Sequence, residues 1–246
     1  MAGIDHDLVG AAVHSVRAVP ADQLGVVAAA ATGRPLHVHV SEQVAENEGC
    51  RAAYGTTPTA LLADHGVLGP TTTAVHATHL TDADVALLAG SGTTVALCPT
   101  TERDLGDGVG PSRRLADAGV PLVVGSDSHA VVDPFEELRT LELDQRAAHQ
   151  RRGVFAAAEL LAAGLDHRCL GVADAGRIAV GCRADLVTVD AAGPRTAGTG
   201  ADEHTAVFAA AAADVRTVVV EGRVVFDGDH GAVGRELAAV VEEVWR

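Results

Sequence analysis

Short apolar runs alternate with stretches of helical period along the first 150 residues or so. LVGAAVHSV reads as a strand, and PLHVHV, TTAVHATHL, TTVALCPTT and VPLVVGSDS read as four more. PADQLGVVAAAATG has proline near its start and glycine past its end, the punctuation of a helix. A helical region is expected from about Cys50 to Gly66. TDADVALLAGSG is a short helix with Thr81 as N-cap and Asp84 three residues on. PSRRLADAG and the longer DPFEELRTLELDQRAAHQ complete the series. Five consecutive β/α units place the chain in the α/β class, with a parallel sheet and right-handed crossovers. The strands are apolar runs, as expected where both sheet faces are covered. Their polar residues (His14, His39, His76, Thr100 and Asp127) gather at the C-terminal ends, the edge where such folds build sites.

The pattern then changes. FAAAELLAAGL is a further helix, GRIAVGCRADLVTVD and VRTVVVEGRVVFDG read as strands with glycine turns, and GRELAAVVEEVWR closes as a helix. AAGPRTAGTGADEH is a loop rich in glycine and threonine. A closed (β/α)8 barrel needs eight strands, and the chain supplies five β/α units. The organisation expected is a partial (β/α) barrel over residues 1–173 and a C-terminal β-segment with its terminal helix over 174–246.

Composition narrows the classes. The chain has 246 residues, 48% of them hydrophobic, so a sizeable core is within reach. Aromatics are only 2%, which leaves that core to alanine, valine and leucine. A net charge of −15 argues against nucleic acid or an anionic membrane surface as partner. It still allows a small anionic substrate held by local arginines. No apolar run reaches the roughly 18 residues of a membrane span, and MAGIDHDLVG lacks the pattern of a signal peptide. Cys50, Cys98, Cys169 and Cys182 lie far apart without a C-x-x-C, as reduced thiols of a cytoplasmic protein. Assembly as a homodimer stays open.

Chemistry concentrates in three motifs. In HVHVSE, His37 and His39 share a strand face, and Glu42 follows where the chain turns, in reach of the same point as a proton shuttle. In VHATHL, His76 ends an apolar run, whereas His79 reads as structural. In VVGSDSH, Asp127 follows a strand directly and could ligate a metal or hold a proton. Taken singly, each has an ordinary role open to it: a buried hydrogen-bonded histidine, a helix cap, a turn residue. Their order on successive strand ends favours a metallohydrolase-like site over three independent ordinary roles. His14 and Arg17, after the first strand, could hold a substrate carboxylate or form a surface ion pair. LCPTTERDLGDG could close over substrate or merely connect.

HVHVSEQ, VHATHL, LCPTTERDLGDG and GSDS, in this order, resemble the amidohydrolase superfamily, and with HSVRAVP they are most similar to its N-formimino-L-glutamate deiminases. The resemblance implies a (β/α)8 metallo-hydrolase barrel with a small β-sandwich domain, and hydrolysis of a formimino C=N to N-formyl-L-glutamate and ammonia. It implies one Zn2+ held by an H-x-H pair on the first barrel strand, by His39 and by Asp127. Glu42 would pass a proton to the leaving nitrogen, His76 and Asp127 would orient and deprotonate the attacking water, and His14 and Arg17 would bind the substrate carboxylate. The likeness begins at the family's fourth strand. An incomplete barrel (strands 4–8 only) is therefore expected, with two zinc ligands lacking a counterpart. An incomplete sequence, a truncated gene or two pairing half-chains would each account for this. An alternative is an amidohydrolase deaminase acting on a purine- or pyrimidine-like substrate, and another a non-catalytic remnant.

Overall fold

The computed structural model describes residues 9–245. Residues 1–8, which hold the first residue of the expected first strand and most of the stretch read for a signal peptide, lie outside the described residues, as does Arg246.

Five strands form one sheet in chain order: β1 (Ala11–Val13), β2 (Leu36–Val40), β3 (Thr72–His76), β4 (Thr94–Leu97) and β5 (Leu122–Val124). Every pairing is parallel, with Ala11 opposite Leu36, Leu36 opposite Thr72, Thr73 opposite Thr94 and Val95 opposite Leu122. The crossovers carry α1 (Ala21–Ala30), α2 (Val44–Tyr54), α3 (Pro58–Asp64), α4 (Asp82–Ser91), α5 (Pro99–Asp104) and α6 (Ser112–Asp117). After β5 come α7 (Pro134–His149) and α8 (Ala157–Leu165). Val13, Val38, Val40, Ala74, Val95 and Leu97 from the sheet are buried in one cluster with Leu24, Leu62, Leu88, Leu115 and Leu160 from the helices. Each of these valine and leucine side chains contributes about 1.5–3 kcal/mol when fully buried. On β2 the faces separate cleanly: Leu36, Val38 and Val40 are buried, whereas His37 and His39 on the other face are half-buried.

The expected capping of α4 is present in full. The Thr81 side chain accepts from the Asp84 N–H and the Asp84 carboxylate accepts from the Thr81 N–H. The single helical region expected from Cys50 to Gly66 is instead two helices. Gly55 takes a left-handed φ of 73°, and Pro58 starts α3 behind the Thr57 cap. TTVALCPTT also shortens: the strand ends at Leu97, and Pro99, lacking an N–H, opens α5.

A second, three-stranded antiparallel sheet holds β6 (Leu186–Val189), β7 (Val215–Val220) and β8 (Arg223–Phe226). Its hairpin turns at Glu221 and Gly222 with φ 50° and 76°, the paired left-handed geometry that matches strand twist. GRIAVGC, expected to be strand, is not: Ile178 and Val180 are fully or nearly fully exposed. α9 (His230–Val244) follows. The chain between β6 and β7 crosses back onto α7, where Arg139 donates to the carbonyls of Val207 and Ala210 and Asp133 accepts from the Ala212 N–H. Among the described residues no helix is long and apolar enough to cross a membrane.

Candidate active site

The C-terminal ends of β2, β3 and β5 converge. His39, His76 and Asp127 each offer a ligand atom, and these atoms lie within 4.8 Å of one another. His76 Nε2 is 3.9 Å from Asp127 Oδ2 and 3.8 Å from Glu42 Oε1. The histidine rings form a row, with centroids 5.2 Å apart for His14 and His39 and 5.6 Å for His39 and His76.

Backbone strain marks the same place. Of the eight non-glycine residues with positive φ among the described residues, Ser41, His76, Ala77, Asp127 and His129 lie at these strand ends. Each left-handed residue costs on the order of 1–3 kcal/mol and persists only where its surroundings hold it.

The imidazoles are oriented from behind. His39 Nδ1 donates to the His14 carbonyl at 2.8 Å, which leaves the Nε2 lone pair for the site. His76 Nδ1 faces Glu102 Oε1 at 3.3 Å, which turns Nε2 toward Glu42 and Asp127. Burial alone would lower the His76 pKa, but Glu102, Glu42 and Asp127 outweigh it and raise it above the ordinary 6.5. Three carboxylates thus surround one buried imidazole. Two imidazoles and a carboxylate with converging lone pairs suit a borderline divalent cation, whose charge this acidic cluster would balance.

Arg17 and Glu42 are joined directly, Nη2 to Oε2 at 2.5 Å. Arg17 Nε also donates to Ser15 Oγ at 3.3 Å and stands 3.8 Å from Glu46. Glu46 accepts from the Glu42 N–H, and burial raises its pKa. The structure therefore brings His14, Arg17, His39, Glu42, His76 and Asp127 to one sheet edge. His37 lies apart, bonded to the Cys169 carbonyl at 2.7 Å, and His79 is tied to the Asp107 carbonyl at 2.8 Å.

Thr101 and Glu102 do not stand out as site residues in the sequence, whereas Thr100 is among the polar residues expected at the strand ends. LCPTTERDLGDG opens as helix α5, and all three are buried under the site. The one available signal was an acid shortly after a buried strand, as in HVHVSE. Burial drives the thiol pKa of Cys98, in this turn, far up, which favours the protonated, unreactive thiol. A second acidic group, Asp202 to His204, is a solvent-facing turn in which Asp202 accepts from the N–H groups of His204 and Thr205.

Comparison with known proteins identifies the family and the fold. The model of the amidohydrolase family matches residues 5–225. A formimidoylglutamate deiminase of Pseudomonas aeruginosa is 37% identical over 95% of this chain and 54% of its own length. A 5-methylthioadenosine/S-adenosylhomocysteine deaminase of Desulforudis audaxviator is 36% identical over 78% of this chain and 46% of its own. The crystal structure of a zinc-bound adenosine deaminase from Xanthomonas campestris superposes with a TM-score of 0.87 at 29% identity, covering 95% of this chain and 56% of that one. An amidohydrolase from Brucella melitensis gives 0.85 at 33% identity, covering 96% and 55%. The chain spans about half the length of the curated relatives it matches. Both the family match and the shared sheet lead to one conclusion: the chain belongs to the amidohydrolase family.

Proposed function

We propose that the whole protein is a metal-dependent hydrolytic deiminase that converts N-formimino-L-glutamate and water to N-formyl-L-glutamate and ammonia. The observation that carries this reading is the meeting of His39, His76 and Asp127, with Glu42 and Arg17 paired alongside. The name of the P. aeruginosa relative supports the substrate. The five parallel strands would be strands four to eight of a (β/α)8 barrel over residues 1–173, and residues 174–246 part of a small β-sandwich domain. Zinc, as in the X. campestris structure, would be held by His39 and Asp127 with an H-x-H pair on the barrel's first strand.

When bound, the cation supplies Lewis acidity and brings a water into reach of ionisation near pH 7. His76 and Asp127 hold the attacking water and draw off its proton. Glu42, with Oε1 3.8 Å from His76 Nε2, returns a proton to the departing nitrogen, which leaves as ammonia while C=O replaces C=N. Arg17 and His14 bind the substrate carboxylate. Arg17 keeps Nη2 on Glu42, so one guanidinium orients both the proton carrier and the substrate's anionic end.

The test is ammonia release from formiminoglutamate by zinc-loaded protein, with Arg17→Ala beside wild type. The reading expects turnover and a raised KM in the variant. A second reading, deamination of a purine nucleoside, is supported by the deaminases of D. audaxviator and of Methanothermobacter thermautotrophicus, the latter named 5'-deoxyadenosine deaminase. A nucleoside without an acidic group, such as 5'-deoxyadenosine, gives Arg17 no carboxylate, so turnover of that substrate with a KM unchanged in Arg17→Ala favours it. A whole protein, its H-x-H strand included, that takes up no zinc and releases no ammonia overturns both in favour of a non-catalytic remnant.

A further inference from the structure

Asp127 is strained at φ 41° and exposed, its side chain to 31%, so something other than its own packing must hold it. The turn that carries it is tied to one buried hydroxyl from a different β/α unit. Thr101, fully buried on α5, places Oγ1 3.3 Å from the Ser126 carbonyl, 3.1 Å from the Ser128 N–H nitrogen and 3.1 Å from Ser128 Oγ. The hydroxyl donates its one proton to the Ser126 carbonyl and accepts the Ser128 amide, with a second lone pair in reach of the Ser128 hydroxyl. It thereby clamps the backbone immediately before and immediately after Asp127.

The next residue, Glu102, holds His76 through Nδ1 and accepts the Cys98 N–H. Thr100, the residue before, bonds Glu137 on α7 through both its N–H and its hydroxyl. Three consecutive side chains in the first turn of α5 thus fix α7, the Asp127 turn and the His76 ring.

We infer that Thr101 is a positioning residue for the metal centre, holding Asp127 in its left-handed conformation so that the carboxylate faces His39 and His76. The inference rests on the reading of Asp127 as a metal ligand. It gives the β4–α5 turn a task other than covering substrate. Isosteric loss of the hydroxyl leaves the volume filled but releases both sides of the Asp127 peptide.

The experiment compares Thr101→Val and Thr101→Ser with wild type, reading Zn2+ affinity by competition with a chromophoric chelator and the visible spectrum of the Co2+-loaded protein. Thr101→Val should bind Zn2+ roughly 10–100-fold more weakly, the range for loss of a ligand's outer partner, with an altered Co2+ spectrum. Thr101→Ser should restore both. Circular dichroism of chelator-treated samples checks that each variant is folded. If the valine chain does not fold, Thr101→Ala is read in its place. In wild type the Ser128 amide should exchange slowly with solvent deuterium. Equal Zn2+ affinity in wild type and Thr101→Val, weak binding by the serine variant, or a rapidly exchanging Ser128 amide overturns the inference alone. Whole wild-type protein, its H-x-H strand included, that binds no Zn2+ overturns the metal reading, and the inference with it.

Discussion

At the scale of single residues, His76 is the most constrained group, 1% exposed among Glu42, Glu102 and Asp127. Its raised pKa makes a signed prediction for the metal-free protein. A histidine that binds its proton more tightly when folded adds stability below the unfolded value of about 6.5, and that contribution is lost as pH rises through the folded value. Urea midpoints of chelator-treated protein should therefore fall across that window, and His76→Gln should flatten the slope. Zinc-loaded protein should show the opposite trend, because ligation needs neutral imidazole. Glu42→Gln is expected to keep zinc binding while lowering the rate of ammonia release roughly 10²–10⁴-fold, the usual share of a proton-transfer group. Metal content and initial rates check the two halves of that statement. His39, His76 and Asp127 could be picked out in the sequence because a polar residue ending an apolar run stands out. Thr101 and Glu102 could not, because a proline-opened polar turn looks the same whether it folds inward or faces solvent.

At the scale of elements, local chemistry was the better guide wherever one residue type decides the geometry. Thr81 and Asp84 set the start of α4 reciprocally, and the two faces of β2 follow from simple alternation. Thr81→Ala removes a side chain that accepts the Asp84 N–H, so it should lower unfolding free energy by about 1 kcal/mol, measured by urea denaturation with an unchanged m-value. The C-terminal strands were harder to read. GRIAVGC has a strand's hydrophobicity, but glycines at 176 and 181 with φ 79° and 87° interrupt extended backbone. The break inside the expected Cys50–Gly66 helix carries its own signals, a left-handed Gly55 that stops one helix and Thr57 with Pro58 that start the next.

At the scale of the whole molecule, the site joins what the helices keep apart, since its three converging donors come from three β/α units. Metal should therefore stabilise the folded sheet as a whole. At free Zn2+ about 100 times the dissociation constant, linkage adds about 2.7 kcal/mol, which raises Tm on the order of 5–10 °C for a chain of this size. Scanning calorimetry with and without chelator measures it, and an unshifted Tm would count against a metal at this position. The sheet also has the property that strand order in space is strand order in the chain. Each strand can dock on its predecessor as soon as it is made, so assembly can proceed vectorially from the first strand. The cluster closes only when the turn after β5 arrives. Cobalt colour developing during refolding would then trail the far-ultraviolet dichroism of the earlier helices, and would time the docking of the last strand.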